Sequence, residues 1–241
     1  MPKVAIVAAL EREVRPLVKE WPSKKVALVR DDWRSTAVFF EKSGKLVACG
    51  GIGRDAACMT ADAALSCTGA EVLVSAGFAG ALGPEEKVGD VVCPAAVVSA
   101  ETGMRFDTLA GRGTLVSSNR VLQPEQKREL GVRFAAEAVD MEAAALAALA
   151  QQRRVGFLAL KAISDEMDSS LPPFGRFVNP VGKFRTAPFL VHVVLRPYLW
   201  PTLRRLARDS ERAAQALCRQ LEVLFTEEGF ESFIQERARS A

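Results

Sequence analysis

The chain has 241 residues, of which 49% are hydrophobic, so it is long enough to bury one substantial core. Its 32 Lys and Arg residues against 29 Asp and Glu leave a net charge of +3, too small for a general nucleic-acid-binding surface. The five cysteines form no C-x-x-C pair, no apolar run reaches the roughly 18 residues of a spanning helix, and no signal-peptide pattern opens the chain. We therefore expect a single cytoplasmic domain over residues 1–241 that binds a small molecule.

Short apolar runs alternate with helix-like segments along the first half of the chain. The predicted elements there are a strand over 4–9, a helix over 11–20, paired strands over 37–40 and 45–49, a helix over 54–67 and a strand over 71–76. Gly77 is expected to end the last of these strands, because glycine often punctuates regular structure.

The second half continues this alternation. Its predicted elements are strands over 91–98, 114–117 and 155–163, a brief helix opened by Pro124, a helix over 138–151 and a long amphipathic helix over 201–225. Residues 168–188 are irregular and proline-rich, which predicts a lid, a partner-facing loop or a plain surface connection. Interleaved strands and helices predict an α/β layer structure in which a ligand binds where strands end.

Two glycine-rich turns each follow a predicted strand. The first, GGIGR at 50–54, opens a helix, so Gly53 and Arg54 are candidates for a phosphate or water site at the helix N-terminus. A tight structural turn would use the same glycines, and the third glycine of a dinucleotide-binding fingerprint is absent. The second turn, around Gly77 and Phe78, would allow the backbone to approach a ligand closely.

Two acidic segments lie where predicted elements begin or end. Asp140 and Glu142 stand at the start of an Ala-rich helix, where capping alone would account for Asp140 and leaves Glu142 as the stronger functional candidate. Ser164 and Asp165 end the apolar strand over 155–163, where active sites of α/β sheets usually lie. Asp165 is therefore a candidate catalytic acid, with a loop cap as the alternative interpretation.

Five motifs in this order, GIGR, SAGFAGAL, VGDVV, VDMEAAA and AISD, resemble those of the purine nucleoside phosphorylase and methylthioadenosine/S-adenosylhomocysteine nucleosidase superfamily. The likeness covers about residues 3–165. It implies a three-layer α/β/α sandwich with a twisted mixed sheet, a homo-oligomer, and cleavage of the N-glycosidic bond of a purine nucleoside, with adenine as the expected base. It implies no metal and no cofactor, with inorganic phosphate as a candidate co-substrate.

The resemblance also implies roles for individual residues. Asp165 would protonate or hydrogen-bond N7 of the purine, and Ser164 would orient the base. Glu142 would hold the ribose hydroxyls, and Met141 would pack against the sugar. Glu13, in the opening ALEREV, matches the glutamate that activates the attacking water. An acid at the leaving base and a carboxylate near the sugar would both stabilise an oxocarbenium-like transition state.

Phe78 departs from the superfamily, because many members carry there a Ser or Thr that contacts phosphate or the nucleophilic water. We interpret Gly77 and Phe78 as substrate-binding residues, and the choice between phosphorolysis and hydrolysis stays open. The stretch between Asp90 and Asp140 is shorter than in the nucleosidases, and Val121 falls where a purine-stacking aromatic is expected. An alternative of another class is a nucleoside-binding or membrane-peripheral protein that has lost the chemistry.

Beyond about residue 168 the chain diverges from most of the superfamily. The segments LPP at 171–173 and LRP through LRRLARDS at 195–210 resemble the hopanoid-associated phosphorylases, which are proposed to cleave adenine from adenosylhopane. Residues 184–205 are rich in Phe and Leu and are bordered by basic side chains. If the substrate is lipid-like, this segment would be a surface that contacts a membrane. An oligomer interface or a core helix is the alternative for this segment.

Overall fold

The computed structural model describes residues 3–30, 33–169, 177, 179, 182–183, 200–226, 230–232 and 235. The strands are β1 (Val4–Ala8), β2 (Ser23–Arg30), β3 (Trp33–Lys42), β4 (Lys45–Cys49), β5 (Val72–Ala81), β6 (Val91–Val92), β7 (Ala96–Ser99), β8 (Arg105–Asp107), β9 (Thr114–Ser117), β10 (Ala138–Asp140) and β11 (Gly156–Asp165). The helices are α1 (Glu11–Val18), α2 (Arg54–Thr68), α3 (Pro124–Phe134), α4 (Ala143–Arg153) and α5 (Trp200–Val223). Most of the predicted lid or loop and most of the predicted membrane-contacting segment lie outside the described residues.

The strands form one mixed sheet. Its order is β2-β3-β4-β1-β5-β10-β9-β7-β8, and β11 pairs with both β5 and β6 beside this path. The parallel pairs are β1 with β4 and β5, β5 with β11, β9 with β10, and β7 with β9. Because parallel neighbours end at the same edge of a sheet, the segments that follow β1, β4, β5 and β11 meet there.

Helices cover both faces of this sheet. α2 and α4 contact each other on one face, where small side chains such as Ala57, Ala61 and Ala147 are buried. α1 and α5 contact each other on the opposite face. Leu217 and Leu221, one turn apart in α5, are both fully buried there, as the amphipathic pattern predicts. The predicted three-layer α/β/α sandwich with a mixed sheet is thereby confirmed.

Two boundaries predicted from the sequence are wrong. β5 does not stop at Gly77 but continues to Ala81, because β11 pairs with it along the whole stretch. Residues 138–140 form β10 rather than the first turn of a helix, and α4 begins only at Ala143. β10 pairs with both β5 and β9, so strand pairing outweighs the local preference of this alanine-rich segment for helix.

Strand predictions are incomplete in three places. β2 and β8 have no predicted counterparts, because each is an edge strand with mostly exposed side chains and therefore lacks a buried apolar pattern. The strand predicted over 91–98 is divided into β6 and β7, with Pro94 between them. Proline has no backbone N–H to donate, so it is disfavoured inside a paired strand.

No helix in the part of the chain that the structure describes is long and apolar enough to cross a membrane. Among the same residues, no group of three His, Cys, Asp or Glu side chains is placed to hold a metal ion. All five cysteines lie within the described ranges, and each is a free thiol.

Candidate active site

Carboxylates collect at one edge of the sheet. Glu13 lies in the helix that follows β1, Glu142 follows β10, and Asp165 ends β11. Gly77 of β5 lies against Glu13, and Gly80 of the same strand lies against Asp165. The fold therefore brings together three predicted site residues that are far apart in the sequence.

Glu13 is buried, with 6% of its surface exposed. Its Oε2 accepts a hydrogen bond from the backbone N–H of Leu10 at 3.0 Å. Burial raises the pKa of Glu13, although the Leu10 amide and the positive charge of Lys161 lower it in part. A carboxylate with a raised pKa is a stronger proton acceptor, as the activation of water requires.

Glu142 is partly buried between β10 and α4. Its Oε1 accepts a hydrogen bond from the backbone N–H of Gly53 at 2.8 Å, which connects it to the first glycine turn. Burial and the nearby charge of Asp140 raise the pKa of Glu142 to about 7. The protonation state of this carboxyl group therefore changes around neutral pH.

Lys161 is a residue of this edge that the sequence analysis missed. It lies within β11, is 2% exposed, and places Nζ 2.9 Å from Oδ2 of Asp140. Burial lowers the pKa of Lys161, but the negative charges of Asp140, Glu142 and Glu13 outweigh burial and raise it. The available signal was a single lysine inside the apolar run GFLALKAI, because a buried lysine requires a charged partner.

Asp140 is held by bonds within the protein. Its Oδ1 accepts a hydrogen bond from Ser117 Oγ at 2.5 Å, and its Oδ2 accepts one from the backbone N–H of Ala143 at 2.9 Å. Ala143 is the first residue of α4, so Asp140 caps this helix as the sequence analysis proposed. Asp140 thus connects β9, β10 and α4 and anchors Lys161.

Asp165 is 7% exposed at the end of β11. Ser164 Oγ donates a hydrogen bond to its Oδ1 at 2.8 Å. Its Oδ2 lies 2.5 Å from Nζ of Lys127, a residue of α3 that is only 1% exposed. The sequence analysis missed Lys127, because the run PEQKREL around it has the composition of a solvated helix.

Two glycines of β5 make room for these carboxylates. Gly77 has φ +150°, and a Cβ atom there would lie 3.2 Å from Oε2 of Glu13. A Cβ atom at Gly80 would lie 2.9 Å from Oδ2 of Asp165. The second glycine segment is therefore a strand that admits two side chains of the protein, not the turn that the sequence analysis proposed. Contact of Gly77 with a substrate stays a prediction.

The first glycine turn uses its backbone donors inside the protein. These are Gly51 N to Ala9 O at 3.0 Å, Ile52 N to Gly182 O at 2.8 Å and Gly53 N to Glu142 Oε1 at 2.8 Å. Arg54 is exposed at the start of α2. The turn therefore offers an anion fewer donors than its sequence suggests, and a phosphate or water site at Gly53 and Arg54 stays a prediction.

Phe78 and Met141 are both partly buried at this edge. Phe78 packs against the core between the sheet and the α1 and α5 layer, and its backbone forms a hydrogen bond with Glu13. Met141 lies between β10 and α4, next to Glu142 in the chain. Their predicted contacts with the substrate are not tested by these positions.

A cavity of about 340 Å³ lies beside Asp165. It is bounded by the end of β11 and the residues after it, including Ser164 and Asp168, and by Arg205 and Asp209 of α5. Carboxylates and hydroxyls are more numerous than cations in this lining, so the cavity suits a ligand that donates hydrogen bonds. Its volume is that of a small-molecule site.

Asp165 ends a strand of a three-layer α/β/α sheet and lines this cavity, whereas Glu13 and Glu142 do not line it. A strand-end acid beside a cavity of this size is typical of an enzyme that acts on a small molecule. A family model described as the phosphorylase superfamily matches residues 3–116 and 102–179. The chain belongs to this superfamily, which confirms the resemblance drawn from the five motifs and the prediction of a glycosyl-bond-cleaving enzyme. A search of curated protein sequences finds no match.

Solved structures of nucleosidases share the fold. A 5′-methylthioadenosine nucleosidase of Arabidopsis thaliana aligns with a TM-score of 0.67 at 16% identity, over 95% of this chain and 98% of that one. The futalosine hydrolase of Helicobacter pylori strain 26695 aligns with a TM-score of 0.64 at 18% identity, over 98% of each chain. A 5′-methylthioadenosine/S-adenosylhomocysteine nucleosidase of Neisseria meningitidis aligns with a TM-score of 0.61 at 23% identity, over 91% of this chain and 100% of that one.

Proposed function

We propose that this protein hydrolyses the N-glycosidic bond of an adenine nucleoside. The observation that carries the proposal is the pair of carboxylate environments on β5. Asp165 is seated at Gly80 beside a buried ammonium ion, whereas Glu13 is seated at Gly77 with a raised pKa. Two separate carboxyl groups can divide acid and base roles between them, and the superfamily resemblance assigns the acid role to Asp165 and the base role to Glu13.

The chemistry follows from this division. As the bond between the sugar C1′ and the purine N9 breaks, its electron pair moves to the base, and a proton delivered to N7 by Asp165 neutralises the charge that develops there. The sugar becomes an oxocarbenium-like ion, which the nearby carboxylates stabilise. Glu13 accepts a proton from the attacking water, and Glu142 accepts hydrogen bonds from the ribose hydroxyls.

Charge favours water over phosphate as the attacking group. The carboxyl groups of Glu13, Asp140 and Glu142 all lie near Lys161, so acidic side chains outnumber basic ones in this cluster. A phosphate dianion would be repelled by such a cluster, whereas water would not. The backbone N–H groups of the first glycine turn already donate hydrogen bonds within the protein, which also favours water over phosphate. Phosphorolysis, with Arg54 and Gly53 as the phosphate site, is the second candidate.

The candidate substrates differ in the substituent at the 5′ position of the nucleoside. The names of the structural neighbours suggest methylthioadenosine and futalosine as test substrates. The resemblance of the C-terminal part suggests a lipid-linked adenosine of the adenosylhopane type. Adenosine itself serves as the unsubstituted reference.

Release of free base from these four nucleosides, with and without inorganic phosphate, tests the proposal. We expect adenine and free sugar to form at the same rate in both conditions. Sugar 1-phosphate formed only when phosphate is present would replace hydrolysis by phosphorolysis. Asp165→Asn and Glu13→Gln are each expected to lower kcat by about 10²–10⁴-fold while the nucleoside still binds. Normal nucleoside binding without any base release by the wild-type protein would instead indicate a binding protein that has lost the chemistry.

Oligomeric state and membrane contact are not addressed by the described residues and stay predictions. Size-exclusion chromatography with light scattering would measure the first. Flotation with vesicles would measure the second.

A further inference from the structure

We infer that Lys127 is a positioning residue that makes Asp165 an effective acid toward the leaving purine. The inference rests on the proposed function and adds a residue to it. Lys127 Nζ lies 2.5 Å from Asp165 Oδ2 and donates a second hydrogen bond to the backbone carbonyl of Glu166 at 2.9 Å. Lys127 does not line the cavity beside Asp165, so it acts through that carboxyl group.

The position of Lys127 in the fold is unfavourable for a cation. It is 1% exposed, and burial of an ammonium ion costs free energy unless the ion is paired. It also lies in the fourth position of α3, which begins at Pro124, where the positive end of the helix dipole disfavours a positive charge. An apolar side chain would fill this position without either cost. The contact with Asp165 is what explains a lysine here.

Each oxygen of Asp165 has its own partner within the protein. Lys127 Nζ lies at Oδ2, Ser164 Oγ donates a hydrogen bond to Oδ1 at 2.8 Å, and Asp165 lines the cavity. Asp165 takes up a proton from solvent water at the cavity and passes it to purine N7, and the carboxylate that remains pairs with Lys127. Lys127 thereby fixes the orientation of the carboxyl group and stabilises the charge left on it, without touching the substrate.

A double-mutant cycle tests this role. Lys127→Met should lower the highest kcat reached between about pH 5 and about pH 8 by about tenfold or more, with KM within about threefold of wild type. In the Asp165→Asn background the same substitution should change kcat by less than about threefold, because Lys127 then has no acid to act through. If Lys127→Met alone folds poorly, Lys127→Gln, which keeps a hydrogen-bond donor without the charge, takes its place in the cycle.

The leaving group gives an independent readout. 6-Chloropurine riboside has an electron-poor base that departs without full protonation, so Lys127→Met should affect it much less than adenosine. Arg128→Met is the matched control, because Arg128 is the next residue of α3 and forms an exposed ion pair with Asp168. This variant should keep the wild-type rate with both substrates.

Three results would overturn the inference: losses that multiply in the double variant, equal losses for adenosine and 6-chloropurine riboside, or the same loss in Arg128→Met. A wild-type protein that releases no base from any nucleoside would remove the proposed function together with this inference. An active wild-type enzyme whose Lys127→Met variant is unimpaired would remove this inference alone.

Discussion

The pKa of Glu142, raised to about 7 by burial and by Asp140, should make the ribose binding proposed for this residue sensitive to pH. Below about pH 7 the carboxyl group gains a proton and accepts hydrogen bonds from ribose hydroxyls less well, so kcat/KM should fall as the pH decreases. Glu142→Gln should abolish this decline near pH 7 and lower kcat/KM at pH 8 by about 10- to 100-fold, the value of hydrogen bonds to a charged acceptor. The measurement is kcat/KM for adenosine over about pH 5 to 9.

Glu137 supplies the control for this pH dependence. Burial raises its pKa as well, but its charged neighbours are Glu86 and Arg112 rather than the residues of the candidate site. Glu137→Gln should therefore leave the decline of kcat/KM below pH 7 in place. Disappearance of the decline in Glu137→Gln, or its persistence in Glu142→Gln, would contradict the role given to Glu142.

At the level of single residues, acids were easier to predict than cations. Glu142 and Asp165 were predicted because each stands at the boundary of a regular segment, and Glu13 was predicted because the opening ALEREV resembles the nucleosidases. Lys127 was missed because the run around it has the composition of a solvated helix, and Lys161 was missed although its place inside an apolar run signals burial. Their burial depends on which strand or helix packs beside them, which is a tertiary property.

Gly80 of β5 lies so close to Asp165 that a single added carbon atom there should displace the Asp165 carboxyl group. A Cβ atom there would lie 2.9 Å from Asp165 Oδ2 and 3.2 Å from Lys127 Cε, so the pair must shift. Gly80→Ala should reduce base release by about tenfold or more, because misplacement of a catalytic group by about 1 Å costs up to about 10²-fold. The free energy of unfolding should fall by only about 1–3 kcal/mol.

Gly156→Ala is the matched control, since Gly156 lies in β11 and a Cβ atom there would lie 2.7 Å from Leu109 Cδ1, away from the carboxylates. Overpacking at Gly156 should lower the thermal midpoint by a similar amount while kcat per folded molecule stays at the wild-type value. Equal losses of kcat in the two variants would mean that Gly80 matters for packing alone.

At the level of elements, the sequence predicted most strands and helices but not how β5 and β10 continue. β5 was predicted to end at Gly77, yet pairing with β11 carries it to Ala81. β10 has the composition of a helix and becomes a strand between β5 and β9. Both errors have the same physical cause, because long-range hydrogen bonds between strands outweigh local propensity.

For the whole molecule, the site should reduce stability as the pH rises. The folded-state pKa of Glu142, about 7, lies above its ordinary value of 4.5, so the folded protein binds this proton more tightly than the unfolded chain does. The resulting contribution to stability is complete below about pH 4.5 and is lost as the pH rises through about 7. The raised pKa of Glu13 acts in the same direction.

Chemical denaturation at several pH values would measure this effect. Between about pH 4.5 and 8, the free energy of unfolding of the wild type should fall relative to Glu142→Gln by roughly 2–3 kcal/mol. Parallel curves for the two proteins would show that Glu142 titrates alike in the folded and unfolded chains. That result would also remove the reason to expect pH-dependent ribose binding.

Glu13 and Asp165 each lie against a glycine of the same strand, β5. Gly77 and Gly80 are three residues apart, which in a strand corresponds to about 10 Å. In the proposed mechanism, the proton acceptor for water and the proton donor for the base therefore rest against one backbone segment, which pairs with β11. A shift of α1, which carries Glu13, or of β11, which carries Asp165, would change the distance between the two groups, whereas the two glycines stay a fixed number of residues apart.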